Sequence, residues 1–526
     1  MKKQSMIFGV LIVLSLAIRL FLVSHDVDTL VRRCLADDAF YGFSIAKNIA
    51  QGHGSTFDGV TRTNGFPPLA MLILIPIFSL LGQSLSAPVH ASLISMSIFD
   101  IMTGYVIYRI LMRVSDWRGA IIGSAFWLLN PCFMLVTLTG CEAGYCVFFD
   151  ALFLLLFVSF LSSDAPRNKS LIALGVGAGL AVLGRSDAIF LTLAVALGVA
   201  ADKRVPPNRR VTNLAIFGCL AAVTISPWIV WNLSNFGIAG PVSGLVKPFR
   251  SHNLYLQEYG TYFSTGLLKQ IGYWTYNSVH TIATSSGLGK VLFAAIAIAV
   301  AAQILLNARR KKRMLTDPMV TCLLFAVFMI GFYSLYFWQT HPWYFHSVCM
   351  VFCLALGWAG SQWIGMLPHA LRKLWVPALV LLIAISASHG KKHWKPGLFP
   401  WQGDYVATAR QLRKRFGDER RFAAFNAGIY KYFSEVPLFN IDASVNNEAY
   451  HAMQNRTLFN DYFKKRNIYY LIDQEYVVKM YWSLYGPKAD MGAYLRPLAT
   501  IQVPWCFAGS NAAANIVIDR VTLGNR

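Results

Sequence analysis

Two adjacent carboxylates, Asp37 and Asp38, follow the first membrane-length apolar run and open the stretch DDAFYGFSIAKNIAQGHGSTFDGVTRTNGFPP over residues 37–68. An aspartate at a helix start satisfies free N–H groups, typically for about 1 kcal/mol, and that accounts for one of the two. A second carboxylate at a membrane surface is suited to act as a general base or to contact a metal or a hydroxyl. Lys47 and Arg62 share the stretch, Glu142 begins a later apolar span, and Arg185 and Asp187 lie at the end of another. Each has an ordinary interfacial role as well: basic side chains snorkel to headgroups, Glu142 suits a first helical turn, and Arg185 with Asp187 can form a surface pair. Gathered on one face, they would line a polar cavity beside the outer leaflet.

Residues 236–288 add aromatics and cations: Lys247, Phe249, Arg250, His252, Tyr255, Tyr259, Tyr262, Phe263, Lys269, Tyr273, Trp274 and Tyr276. Aromatic belts are normal anchors at membrane interfaces. Basic groups beside aromatic faces also suit a lipid phosphate and a sugar ring, as charge-assisted donors and as stacking surfaces. The same pair of readings applies to His341, Trp343, Tyr344 and His346. The two histidines lack a third ligand in the pattern, so a zinc site is unsupported. The sequence contains no P-loop, no dinucleotide-binding glycine fingerprint and no serine nucleophile elbow.

The elements that must hold these groups are membrane spans. Of 526 residues, 56% are hydrophobic and 14% charged, with a mean hydropathy of +0.47, which places the chain among polytopic helical membrane proteins. The net charge of +22 sits in short loops such as DKRVPPNRR (202–210) and RRKKR (309–313). That is a positive-inside signal, so no nucleic-acid partner is expected. Candidate spans fall near 6–23, 67–82, 88–112, 119–138, 143–161, 170–184, 187–201, 212–235, 289–307, 319–337, 345–366 and 375–389, and about 11 to 13 crossings are expected. Lys2 and Lys3 precede an apolar run with no small-residue cleavage site, and Arg19 stands late in it, so the first span is read as uncleaved.

Placing 164–170, 202–210, 309–313 and 369–373 on the cytoplasmic side is mutually consistent. It puts the loop 24–66, TGCE (139–142), GRSD (184–187), loop 236–288, WQTHPWYFH (338–346) and everything after 390 outside. One basic loop, RVSDWR at 113–118, breaks the parity, so either 67–82 does not fully cross or a span is missing. Most cysteines sit in apolar segments as small hydrophobes. Cys34 and Cys506 could pair in an oxidising compartment, but the pattern supports neither a disulfide framework nor a metal site. After residue 390 the composition becomes soluble and alternates between helix (404–416), strands (RFAAFNAG, VPLFNID), helix (LFNDYFKKRN) and strand (IYYLID), a small α/β domain over 391–526 following a membrane domain over 1–390.

The acidic pair in DDAFYGFSIAKNIAQGHG, the NGFPPL motif before the next span, TGCE, and GLAVLGRSDA together resemble the GT-C superfamily of membrane glycosyltransferases. The first loop is most similar to prokaryotic relatives of the arabinofuranosyl, mannosyl and lipid A aminoarabinose transferases. FNAGIYKYFS, PLFNIDASVNNEAY and IYYLID are similar to the soluble domain of GT-C-like bacterial membrane proteins. This sequence departs from the pattern in having Asp-Asp where many relatives have Asp-Glu, and Arg-Ser-Asp where relatives often have Arg-Pro-Asp or Arg-Pro-Glu.

The resemblance implies transfer of a sugar, a pentofuranose such as arabinofuranose or a hexose, from a polyprenyl-phosphate donor to a glycan, lipid or protein acceptor outside the cytoplasmic membrane. It implies that Asp37 deprotonates or orients the acceptor and that Asp38 supports it. Charge and side of membrane nominate Lys47, Arg62, Arg185, Lys247 and Arg250 for the donor phosphate, and Glu142, Asp187, His341 and Tyr344 for the substrate cavity. No metal or other cofactor is expected. A transporter or flippase of a lipid-linked sugar is the alternative, ranked lower because the charges cluster at span ends and no internal repeat is present. A third reading makes the C-terminal domain a module that recruits the acceptor.

Overall fold

The computed structural model describes residues 2–162, 168–261, 265–282, 287–312, 314–338, 341–417, 420–503 and 514–522. The first apolar run forms α1 (Lys2–Val23), followed by the short α2 (Val27–Arg33) and by α3 (Asp37–Ala50). Gly52 and Gly54, with φ of +83° and +72°, end α3 in a backbone conformation that glycine adopts without strain. Next come α4 (Pro68–Leu81), α5 (Ala87–Val114), α6 (Trp117–Leu129) and α7 (Pro131–Thr137). The expected span 119–138 is therefore broken. Pro131 cannot donate to the helix ladder, Asn130 caps α7 through the Cys132 N–H, and the axis bends by 56°.

Helices α8 (Ala143–Ser162), α9 (Asn168–Gly184), α10 (Ile189–Ala200) and α11 (Pro207–Phe236) continue the bundle. The stretch 236–288, read above as a loop, instead contains two helices, α12 (Val242–Tyr259) and α13 (Thr265–Ile282). Spans α14 (Gly287–Arg310), α15 (Pro318–Tyr336), α16 (His346–Met366) and α17 (Trp375–Trp394) complete the membrane part. Among the described residues eight helices are long and apolar enough to cross a membrane, nine if the bent pair counts as one, and three more apolar helices are shorter.

Helix α1 runs antiparallel to α5. Phe8 stacks on Tyr108 near one end, with ring centroids 4.4 Å apart, and His90 Nε2 lies 3.0 Å from the His25 carbonyl oxygen at the other. Arg19 and Asp100, both fully buried, form an ion pair between them. Asp100 also meets His346 Nε2 of α16 at 3.2 Å, and Arg19 donates to the Leu128 carbonyl of α6 at 3.1 Å. Bare backbones at Gly119 and Gly357 let α6 and α16 cross closely, since a Cβ on Gly119 would lie 2.6 Å from the Gly357 oxygen.

The C-terminal part begins with α18 (Gln402–Phe416), then β1 (Phe422–Ala424), α19 (Ala427–Ser434), β2 (Leu438–Asn440), α20 (Asn447–Gln454), α21 (Phe463–Arg466), β3 (Tyr470–Gln474), α22 (Glu475–Tyr485), α23 (Met491–Tyr494), β4 (Leu495–Val503) and β5 (Ala514–Val521). The five strands are ordered β2-β1-β3-β5-β4. β1 pairs in parallel with both β2 and β3, while β5 is antiparallel to β3 and β4. Helix α19 and the β4–β5 hairpin are additions to the sequence-level outline. Buried apolar residues of this domain, among them Phe422, Ile429 and Phe433, are continuous with the membrane core.

Phe40, Phe43, Ala46, Ile49 and Ala50 recur at three- and four-residue steps, a pattern that predicts an amphipathic helix lying on the membrane surface, and α3 departs from it. Its residues are buried almost all round, because α4 packs on one side and α19 on the other, with Phe40 rings 5.0 Å from Tyr432 and 5.3 Å from Phe433. Both flanks of helix α4 reach the C-terminal domain. Gly65, just before it, lies against the Ser444 backbone, and the Leu85 carbonyl after it accepts from Tyr432 of the C-terminal domain at 2.9 Å.

Candidate active site

Asp37 and Asp38 are the first two residues of α3, and neighbouring helical positions point about 100° apart, so the two carboxylates meet different surroundings. Asp37 does not cap its own helix, whose N-cap is Ala36 without a side-chain bond. Its Oδ1 accepts from the Ile429 N–H at 2.7 Å and its Oδ2 from the Gly428 N–H at 3.2 Å. These are the second and third residues of α19, so the aspartate caps a helix of the C-terminal domain. Asp37 is buried, and burial pushes its pKa up to about 8 against the pull of those two donors.

Asp38 faces open space. A cavity of about 460 Å³, largely apolar, lies between the helices and is lined by Asp38, Glu142, Arg185, Lys247, Tyr333 and Tyr344 among others, with Phe66, Trp228 and Ile229 in its apolar wall. A second cavity of about 70 Å³ adjoins it through Asp38 and Lys247. This chamber is polar. The membrane domain contributes Asp37, Asp38, Lys247, Arg250 and His341, and the C-terminal domain contributes Asn426, Asp442 and Tyr476. Its C-terminal-domain wall comes from residues just beyond the carboxyl ends of β1, β2 and β3, the edge at which parallel sheets place ligand sites.

Arg185 sits between α9 and α10, Lys247 and Arg250 sit on α12, and each is held by several groups at once. Lys247 Nζ lies 3.9 Å from Asp38 Oδ2 and donates to the Tyr344 hydroxyl at 2.5 Å. Burial opposes its charge, but Tyr344 and Asp38 more than offset this and hold its pKa above the ordinary lysine value. Arg185 pairs with Asp187 at 3.0 Å and Glu142 at 3.8 Å, donates to the Tyr333 hydroxyl at 2.9 Å and lies 4.8 Å over the Tyr344 ring. Tyr333 in turn donates to Asp187. Arg250 meets Asp442 at 3.6 Å and donates to the Tyr481 hydroxyl. His341 stacks on Trp343 with centroids 4.5 Å apart. Burial, followed by Lys247, Arg250 and Arg185, holds its pKa well below the ordinary histidine range, so the ring is neutral.

Nine of the eleven nominated residues thus converge on the two cavities: Asp37, Asp38, Glu142, Arg185, Asp187, Lys247, Arg250, His341 and Tyr344. Two lie elsewhere. Lys47 pairs with Glu435 at 3.1 Å and Arg62 donates to Asn235 Oδ1 at 3.3 Å, and neither lines either cavity. Tyr333 was missed because it lies inside an apolar span with no local polar signal, and Asn426 and Asp442 because strand ends cannot be placed against a membrane domain from one sequence. Cys34 lines neither cavity. The side chain of Trp274 and the whole of Cys506 lie outside the described residues, and Cys34 is buried. Among the described residues no group of three His, Cys, Asp or Glu side chains is disposed to hold a metal ion.

Residues 66–231 match the family described as dolichyl-phosphate-mannose-protein mannosyltransferase. No curated protein matches the chain in sequence. In fold, the chain is similar to ArnT from Cupriavidus metallidurans, solved bound to undecaprenyl phosphate, at 12% identity and a TM-score of 0.57, over 98% of this chain and 99% of that one. It is also similar to the Archaeoglobus fulgidus oligosaccharyltransferase tethered to an acceptor peptide, at 13% identity and a TM-score of 0.60, over 96% of this chain and 74% of that one. The archaeal oligosaccharyltransferase AglB from Archaeoglobus fulgidus, in complex with an inhibitory peptide and a dolichol-phosphate, gives a TM-score of 0.58 at 14% identity, covering 97% and 74% of the two chains. The family model matches part of the chain, and the likeness to these solved structures, over nearly the whole chain, is one of fold.

Proposed function

We propose that the protein transfers a sugar, a pentofuranose such as arabinofuranose or a hexose, from a polyprenyl-phosphate donor to a glycan, lipid or protein acceptor on the extracytoplasmic side of the cytoplasmic membrane. The observation that carries this reading is the position of Asp38 and Lys247 at the junction of a large apolar cavity and a small polar chamber. The apolar cavity suits a polyprenyl chain and its phosphate, and the polar chamber suits a hydroxylated acceptor. In the reaction a carboxylate of the acidic pair accepts the proton of the acceptor nucleophile as that atom bonds to the sugar's anomeric carbon. The bond from that carbon to the phosphate oxygen breaks, and the polyprenyl phosphate leaves as an anion. Lys247 and Arg185 are placed to stabilise the charge that develops there. Glu142, Asp187 and Tyr333 hold Arg185 in its orientation, and Tyr344 does the same for Lys247.

Purified full-length protein in lipid nanodiscs should bind undecaprenyl phosphate, and Lys247→Gln should weaken that binding by about tenfold or more, the loss expected for one charge-assisted hydrogen bond. Membranes containing the protein should transfer label from an undecaprenyl-phosphate-linked pentose or hexose to an endogenous acceptor. Lipid binding without transfer from any member of such a donor panel would overturn the reading. The transporter alternative gains no support from the fold or the family match.

A further inference from the structure

The two carboxylates of the acidic pair have different surroundings, and the difference carries an inference that rests on the transfer reading above. We infer that Asp38 is the carboxylate that meets the acceptor, and that Asp37 is a positioning residue that pins helix α19 of the C-terminal domain over the reaction chamber. Both Asp37 oxygens already accept backbone N–H groups of α19, from Gly428 and Ile429. Those N–H groups are the ones that an N-cap side chain normally satisfies. The residue in the N-cap position of α19, Asn426, makes no side-chain cap bond, because its side chain donates to Asp473 instead. The cap is therefore supplied across the domain interface.

The contact is built for close approach. A Cβ on Gly428 would lie 2.2 Å from the Asp37 carbonyl oxygen, so only glycine lets α19 seat against the first turn of α3. Tyr41, one turn further along α3, extends the seam by donating to the Phe425 carbonyl at 3.0 Å. Among the described residues Asp38 makes no such contact with backbone donors. Its side chain is 34% exposed, its ion-pair partner among the described residues is Lys247, and it lines both cavities. The pin has a geometric consequence: the polar chamber owes Asn426, Asp442 and Tyr476 to the C-terminal domain, so the chamber has its shape only while α19 is seated.

The test uses the full chain in nanodiscs with two readouts. One is the initial rate of transfer from whichever undecaprenyl-phosphate-linked [14C]pentose or hexose the wild type accepts. The other is hydrogen exchange at the Gly428 and Ile429 amides. Asp38→Asn should reduce transfer by about a hundredfold or more, as loss of a general base does, with amide protection unchanged. Asp37→Asn, whose amide oxygen still accepts one N–H, should keep transfer within about tenfold of wild type and retain most of the protection. Asp37→Leu should lose both, so that rescue by asparagine separates a pin from a base. Abolished transfer in Asp37→Asn with protection intact, or an active Asp38→Asn, would overturn the inference. Should the wild type show no transfer at all, the transfer reading fails, and the exchange data decide the pin by themselves: unchanged protection in Asp37→Leu overturns it.

Discussion

Asp37 is subject to two opposed forces, and its pH behaviour follows from their balance. Burial disfavours its charge, Asp38 and Asp473 disfavour it further, and the two N–H groups of α19 favour it; burial wins and raises the pKa from the ordinary 3.8 to about 8. A carboxyl whose folded value lies above its unfolded one contributes stability that is fully present below about pH 4 and is lost as pH rises through about 8. Protection of the Gly428 and Ile429 amides, corrected for intrinsic exchange, should therefore fall progressively between about pH 4 and 8 and level off above that, and Asp37→Asn should remove that dependence. Asp473, one strand away, shows the same effect in milder form. Burial raises it to about 6, although it accepts from the Phe425, Asn426 and Gln474 N–H groups and from Asn426 Nδ2.

Packing between elements depends on charge as well as on apolar surface. The buried pair of Arg19 on α1 and Asp100 on α5 ties in α6 through the Leu128 carbonyl and α16 through His346. Such a pair adds little net stability over an apolar substitute, but removing one partner leaves a bare charge in a dry interior. Arg19→Leu should lower stability by about 3–5 kcal/mol, and Arg19→Leu with Asp100→Leu should recover most of it. His346 retains its Thr137 Oγ1 neighbour at 3.2 Å in the double variant. Thermal unfolding of the detergent-purified proteins reads both outcomes. The pair also anchors the first turn of α16 close to Trp343 and Tyr344, which line the large cavity.

Across the whole molecule, helix α4 resolves the parity of the spans. Its start lies against Ser444 and the turn after it against Tyr432, so both of its ends reach the C-terminal domain. At 14 residues it is about 21 Å long, short of the roughly 30 Å hydrocarbon core. We infer that α4 does not cross, which returns residues 113–118 to the cytoplasmic side with the other basic loops. Cysteines introduced at Gln83 and at Arg118 should then react from opposite sides with an impermeant maleimide: position 83 from outside in intact cells, and position 118 after permeabilisation. Labelling of both from the same side would refute this topology.

The class of the molecule and most of its parts can be read from the order of the residues alone. Runs of apolar residues near 20 long can be satisfied only as helices in lipid, and basic loops orient them; both signals are local. The motif-bearing residues of the site, from Asp38 to Tyr344, were legible for a related reason, because charge at a span end is conspicuous against an apolar background. Which groups meet depends on contacts between segments far apart in the chain. A single sequence cannot show that Asp37 caps α19 nearly four hundred residues away, that Lys47 and Arg62 turn to Glu435 and Asn235 instead of the cavity, or that the ends of β1 and β2 complete the chamber. Those outcomes depend on docking of one domain on another, where burial and hydrogen bonds between distant segments outweigh local pattern. The same docking turned α3 from a helix with one wet face into one enclosed by α4 and α19, and so separated two adjacent aspartates into one that faces the C-terminal domain and one that faces the cavities.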